Sequence, residues 1–236
     1  MVTKDEKKLD AGAHVISPYA VIFELEGALT GGRLLLFDTL KKLLKKEKLN
    51  LDEVTFIRHA TGPAPVDAVP ALIEALDGEG VSDDKMQAAL VDALQASGAE
   101  LALTPVLRKL IDAATKQGIP LVAASCLPTA AAEALLEKSG LAELGVKLHA
   151  VDGADACCPC KKDWQEIGRS LSRMPHRCFA LVSTAAACHA ALSVDLRVIA
   201  VCDEFTTAQD FGGAEAVYES PADFDLADLL ARMPAA

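Results

Sequence analysis

From residue 104 to the end of the chain, short runs of β-branched or small apolar residues alternate with longer stretches whose apolar residues recur at helical spacing. TPVLRKLIDAATKQG reads as an amphipathic helix closed by Gly118, and IPLVAAS after it as a buried strand. Helix TAAAEALLEKSG, strand VKLHAVDG, helix KKDWQEIGRSLSR, strand CFALVS, helix TAAACHAALS, strand LRVIAV and a last helix at DLADLLARM follow in order. Strands separated by crossovers of this length pair in parallel, and their unbroken apolar character requires helices on both faces of the sheet. The predicted fold class is therefore α/β, with a Rossmann-like parallel sheet. Such sheets bind ligands at the carboxyl ends of their strands, where strand order reverses. Ser125, the segment after Gly153 and Ser183 fall on that rim, together with Glu24 from an earlier strand.

The region from Leu34 to about Leu103 has a different texture. LLLFDTLKKLLKKEKL carries Leu and Phe at helical spacing, with Lys41, Lys42, Lys45, Lys46 and Lys48 covering the remaining surface as a solvated face. Turn-forming residues at 61–65 and 77–84 separate two more helices, DAVPALIEAL and DKMQAALVDALQA. The organisation expected is a core from residues 14–33 and 104–236, a helical cap inserted over 34–103, and an N-terminal segment, 1–13, without fixed order.

A net charge of −11 disfavours nucleic acid or an anionic membrane as a partner. No apolar stretch approaches the roughly 20 residues of a membrane helix, and MVTKDEKKLDAGAH lacks the apolar centre of a signal peptide. The expected location is the cytoplasm. The 7 cysteines are odd in number and crowd at Cys157, Cys158 and Cys160, unlike a secretory disulfide framework, so reduced thiols are expected. Cys157 and Cys160 nonetheless form a CxxC ahead of a helix, where the helix N-terminus, Lys161 and Lys162 favour thiolate. Cys126 and Cys202 follow other strands on the same rim. A thiol metal or redox module at Cys157, Cys158 and Cys160 is thus one reading; small buried thiols are the other.

The first strand is the most chemical stretch. YAVIFELEGALT runs apolar to Phe23, then presents Glu24 and Glu26, then Gly27. It resembles the first motif of the haloacid dehalogenase (HAD) superfamily, a strand ending in Asp-x-Asp-Gly-Thr, with both aspartates replaced by glutamate and the threonine by Ala28. The resemblance extends along nearly the whole chain. The helical insertion follows the first motif, as in capped members of the β-phosphoglucomutase and phosphatase type, and LTPVLRKLIDAATKQGIPLVAASC is similar to the second-motif region.

What the resemblance implies is phosphoryl-transfer architecture with degenerate chemistry. Glu24 stands at the nucleophile, Glu26 at the acid/base, and Ser125 at the phosphate-binding hydroxyl. The third-motif lysine position falls on Cys158, with Lys161 and Lys162 close enough in sequence to supply an ammonium by another loop path. The fourth motif reads Val182 and Ser183, without the carboxylate that helps to hold Mg²⁺, so Mg²⁺ binding is expected to be weak or lost. Each glutamate is one methylene longer than aspartate, and displacing reacting atoms by ~1 Å costs ~10²-fold in rate. The expectation is a catalytically degenerate protein that binds a small phosphorylated molecule or a protein partner; the alternative is an active hydrolase that uses Glu24 and Glu26.

Overall fold

A computed structural model describes residues 17–97, 101, 103–151 and 159–233. The order expected of residues 1–13 and the roles expected of Cys157 and Cys158 lie outside the described residues. The apolar runs form six strands: β1 (Ala20–Glu24), β2 (Leu121–Ser125), β3 (Lys147–Ala150), β4 (Cys178–Val182), β5 (Arg197–Val201) and β6 (Ala216–Tyr218). They make one sheet in the order β3-β2-β1-β4-β5-β6, with every pairing parallel. Strand order reverses between β1 and β4, so the crevice that parallel sheets use for ligands opens beside the carboxyl end of β1.

Side chains alternate across each strand, and the sheet therefore carries two cores. Val21, Phe23, Ala123, Phe179, Leu181 and Ile199 face one side. There they meet α5 (Pro105–Lys116), α6 (Thr129–Lys138) and the helices that follow β1. Ala20, Ile22, Val122, Ala180 and Val198 face the other, against α7 (Lys161–Ser170) and α8 (Ala185–Leu192). That second layer is thin. Its α8 contributes the small side chains Ala187, Cys188 and Ala191, and α7 the larger Trp164 and Ile167.

Among the described residues, four α-helices lie between β1 and α5: α1 (Gly32–Lys46), α2 (Glu53–Ala60), α3 (Ala68–Ala75) and α4 (Asp83–Ala96). In α1 the apolar stripe Leu36, Phe37, Leu40 and Leu44 is buried while Lys41, Lys42, Lys45 and Lys46 are exposed, which is the solvated face expected of that lysine run. Asp52 caps α2 by accepting from the Thr55 amide at 2.7 Å, and Ser82 caps α4. A last helix, α9 (Leu226–Ala231), packs against α5.

The inserted helices are fastened to the carboxyl rim of the sheet by three rings. Phe37 of α1, Phe56 of α2 and Phe205, just past β5, lie with centroids 5.0–5.2 Å apart in edge-on and tilted arrangements. Gln209 adds a polar tie, donating to the Thr61 hydroxyl at 3.0 Å and accepting from the Ala185 amide at 2.7 Å. Phe56 is fully buried, so Phe56→Ala should cost about 3–5 kcal/mol, through lost burial and the cavity left among its partners. Denaturant unfolding measures this, and a loss below about 1 kcal/mol would show that the rings do not hold the insertion in place.

Candidate functional site

The loop after β1 is shaped by close approach. A side chain at Gly27 would meet Glu24 Cβ at 2.9 Å and Ser183 Oγ at 3.0 Å, so only glycine lets β1 turn this tightly against the end of β4. Thr30 ties the turn from within, its hydroxyl donating to the Leu25 carbonyl at 2.6 Å while accepting from the Gly32 amide at 3.1 Å. The Thr104 hydroxyl anchors the same loop by donating to the Leu29 carbonyl at 2.7 Å. With the loop fixed, α1 starts at once and its first turn carries Arg33 over the rim.

Glu24 is buried at 8% exposure, and a buried carboxylate needs partners. Ser183 supplies two: its amide donates to Glu24 Oε2 at 2.7 Å and its hydroxyl to the same oxygen at 2.5 Å. The Ser183 hydroxyl in turn accepts from Arg33 Nη2 at 2.5 Å, and Arg33 Nε donates to Asp203 Oδ2 at 2.8 Å. Asp203, just beyond β5, is completed by the Phe205 amide and the Thr206 hydroxyl, each donating to Oδ1 at 3.1 Å. Arg33, Ser183 and Asp203 are all buried. Loss of hydration raises the Glu24 carboxyl above its usual 4.5, opposed by the Arg33 charge and the Ser183 hydrogen bonds, with Asp203 adding a smaller upward push.

Glu26 turns the other way. Its carboxylate accepts from the Ser125 hydroxyl and, at 3.3 Å, from the Cys126 amide, while Ser125 Oγ also accepts from the Leu127 amide at 3.2 Å. Burial pushes the Glu26 carboxyl up to about 7, less the pull of those hydrogen bonds and with a further push from Glu24. Glu24, Glu26, Arg33 and Cys126 line one cleft, roofed by Thr61 and Pro63 from the chain after α2. Convergent polar groups under an apolar roof are the usual make-up of a small-molecule site.

The structure thus brings Glu24 and Ser183 together, and Glu26 and Ser125, as two pairs at one cleft. Lys161 and Lys162 are exposed in the first turn of α7, where Lys162 makes a loose 3.9 Å pair with Glu166, and Pro159 just ahead of that helix lines the cleft. Cys160 is the N-cap of α7, its amide donating to Asp163 Oδ2 at 2.6 Å. Cys126 is disulfide-bonded, which corrects the expectation of reduced thiols throughout; a strand-end sulfur pairs once the fold brings another to it. Cys202 is buried just past β5, and burial pushes its thiol up to about 11, as it does for Cys178 and Cys188, the reverse of a reactive thiolate.

Two participants were not singled out in the sequence: Arg33 and Asp203. Asp203 had a legible signal, since it follows a strand as Glu24 does. Arg33 had a weaker one, a lone cation in the first turn of a helix, where the helix dipole disfavours positive charge.

Mg²⁺ demands near-octahedral oxygen ligation. Here the Glu24 oxygen that faces Ser183 is taken, Asp203 is taken by Arg33, Phe205 and Thr206, and Ser183 offers no carboxylate. Among the described residues no group of three His, Cys, Asp or Glu side chains is placed to hold a metal ion. The donor set does not fit a divalent cation.

No protein-family model matches the chain, and no curated protein sequence matches it. Solved structures do. CbbY from Rhodobacter sphaeroides, in complex with phosphate, is similar at TM-score 0.76 and 22% identity, over 89% of this chain and 98% of that one. An HAD hydrolase of family IA, variant 3, from Entamoeba histolytica is similar at 0.71 and 17%, over 91% and 99%. A putative β-phosphoglucomutase from Thermotoga maritima is similar at 0.66 and 19%, over 92% and 100%. The parallel sheet, its strand order and the helices inserted after β1 give this chain the haloacid dehalogenase-like fold, with a Rossmann-type α/β core.

Proposed function

We propose that this protein is a non-hydrolysing member of the fold, which binds a small phosphorylated molecule in the cleft above β1 and β2 without turning it over. One observation carries the reading: the groups a phosphoryl transfer would need are already bonded to one another. A carboxylate nucleophile must be aimed in line, yet Glu24 is held through Oε2 by two hydrogen bonds from Ser183, which leaves only Oε1 to attack. The hydroxyl and amide suited to hold phosphate oxygens, Ser125 Oγ and Cys126 N, are occupied by Glu26. A phosphate group gains those donors only by displacing the Glu26 carboxylate, so binding is weak. Support for the ligand class comes from CbbY, which has been solved with phosphate and, as a D10N mutant, with xylulose-(1,5)bisphosphate.

A second reading, an active hydrolase, has one observation in its favour. A carboxyl near 7 is suited to proton transfer at neutral pH, and Glu26 has that value. Turnover separates the two. The protein should show negligible Mg²⁺-dependent hydrolysis of p-nitrophenyl phosphate and of a panel of sugar phosphates, and Glu24→Asp alone should not restore it. Robust turnover by the wild type that disappears in both Glu24→Gln and Glu26→Gln would establish the hydrolase instead.

The Glu26 carboxyl also sets a pH dependence. Because its native pKa of about 7 lies above the ordinary 4.5, the folded protein keeps a proton that the unfolded chain releases. This stabilisation is complete below about pH 4.5 and is lost as the pH climbs to about 7. Relative to Glu26→Gln, whose amide does not titrate, the wild type should therefore lose about 2 kcal/mol between pH 5 and pH 8. Parallel stability curves for the two proteins in urea would show that the Glu26 carboxyl is not held up by burial.

A further inference from the structure

The chain Glu24, Ser183, Arg33, Asp203 places a guanidinium between two carboxylates at the sheet's switch point. We infer that Arg33 is the resident cation of this site: its fixed charge does for Glu24 and Asp203 what a divalent ion would otherwise do, so the folded protein neither needs nor binds one there. This goes beyond the binding function proposed above and does not depend on it, since a metal-free site is compatible with turnover or with its absence.

The argument begins with the cost of the arginine. Arg33 is 7% exposed and lies in the first turn of α1, so it gives up hydration where the helix dipole also disfavours a positive charge. Its position is accounted for by the acceptors it meets. Asp203 takes Nε directly, and the Ser183 hydroxyl takes Nη2 while passing its own proton toward Glu24. Without Arg33, two buried carboxylates would share one end of the sheet with only hydroxyl and amide donors. With it, one unit of positive charge is already in place, and a divalent ion entering the same space meets repulsion from the guanidinium as well as carboxylates whose inward oxygens are occupied. A guanidinium is planar and always charged, and its donors point in fixed directions. It therefore fixes Asp203 directly and Glu24 through Ser183, which limits how far either can reorient around an ion. Ser183 completes the arrangement, since a hydroxyl can accept from Arg33 and donate to Glu24 at once, which a carboxylate at that position could not do.

The test is thermal unfolding of the full chain, with MgCl₂ or MnCl₂ compared against NaCl at equal ionic strength. The wild type should melt at the same temperature in both, and calorimetric titration with Mn²⁺ should show no saturable binding. Arg33→Met should melt on the order of 10 °C lower, as expected when one partner of a buried charge cluster is removed. It should then regain about 5 °C with the divalent salt alone, because the freed carboxylates now bind the ion. Arg33→Lys, which keeps a cation, should remain indifferent to divalent ions. If Arg33→Met does not fold, the wild-type and Arg33→Lys measurements still decide the matter. Saturable Mn²⁺ binding or a divalent-specific rise in melting temperature in the wild type overturns the inference, as does a folded Arg33→Met protein that ignores divalent ions.

Discussion

A carboxylate buried at the end of a central strand is the constraint around which this rim is arranged. Glu24 terminates β1 between β2 and β4, largely buried, and a carboxyl there needs neighbouring elements to bring donors to it. The end of β4 answers with Ser183, the start of α1 with Arg33, and the end of β5 with Asp203. Each of these commits its own element. Gly27 must lack a side chain so that the loop clears Glu24 and Ser183, and α1 must begin at Gly32 for Arg33 to reach over the rim. Removing one member of such a cluster is more damaging than its net contribution suggests, because an unpaired charge stays behind.

The same arrangement bears on the non-hydrolysing function proposed for this chain. Lengthening two acids by a methylene does more than misplace reacting atoms. It gives each carboxylate the reach to find donors in the protein itself: Glu24 finds Ser183, and Glu26 bends onto Ser125 and Cys126. A ligand must then compete with an internal acceptor that is always present. The raised Glu26 pKa is the trace of that competition, since the carboxylate has traded water for two hydrogen bonds and the trade is incomplete.

The helices that follow β1 supply Arg33 from the start of α1 and close the cleft with the chain after α2. Their attachment is apolar at Phe37, Phe56 and Phe205 and polar at Gln209 and Thr61, and both contacts fall on chain that follows β4 or β5. Because Phe205 and the Thr206 hydroxyl belong to the turn that also orients Asp203, packing of the insertion and orientation of the buried charges share one short segment. At the start of α7, Cys160 caps the helix end and Lys162 makes a weak surface pair with Glu166.

Much of this protein was legible in its residues. The alternation of apolar runs and amphipathic stretches dictated a parallel sheet, because only crossover connections of that length join its strands, and it placed Glu24, Ser125 and Ser183 on one rim. What remained illegible was the pairing on that rim. Arg33 and Asp203 are 170 residues apart, Ser183 and Glu24 159, and Ser125 and Glu26 99. Helical and strand periodicities report which face a residue occupies; they carry no information about which charge will meet which across a sheet. The oxidised state of Cys126 was hidden for the same reason. Residue patterning alone thus specified the elements, their parallel pairing and the rim where polar groups collect. Which donors those acids meet was settled by the folded chain, because it depends on strand order and on the reach of single side chains over a few ångströms, and neither is a local property of the chain.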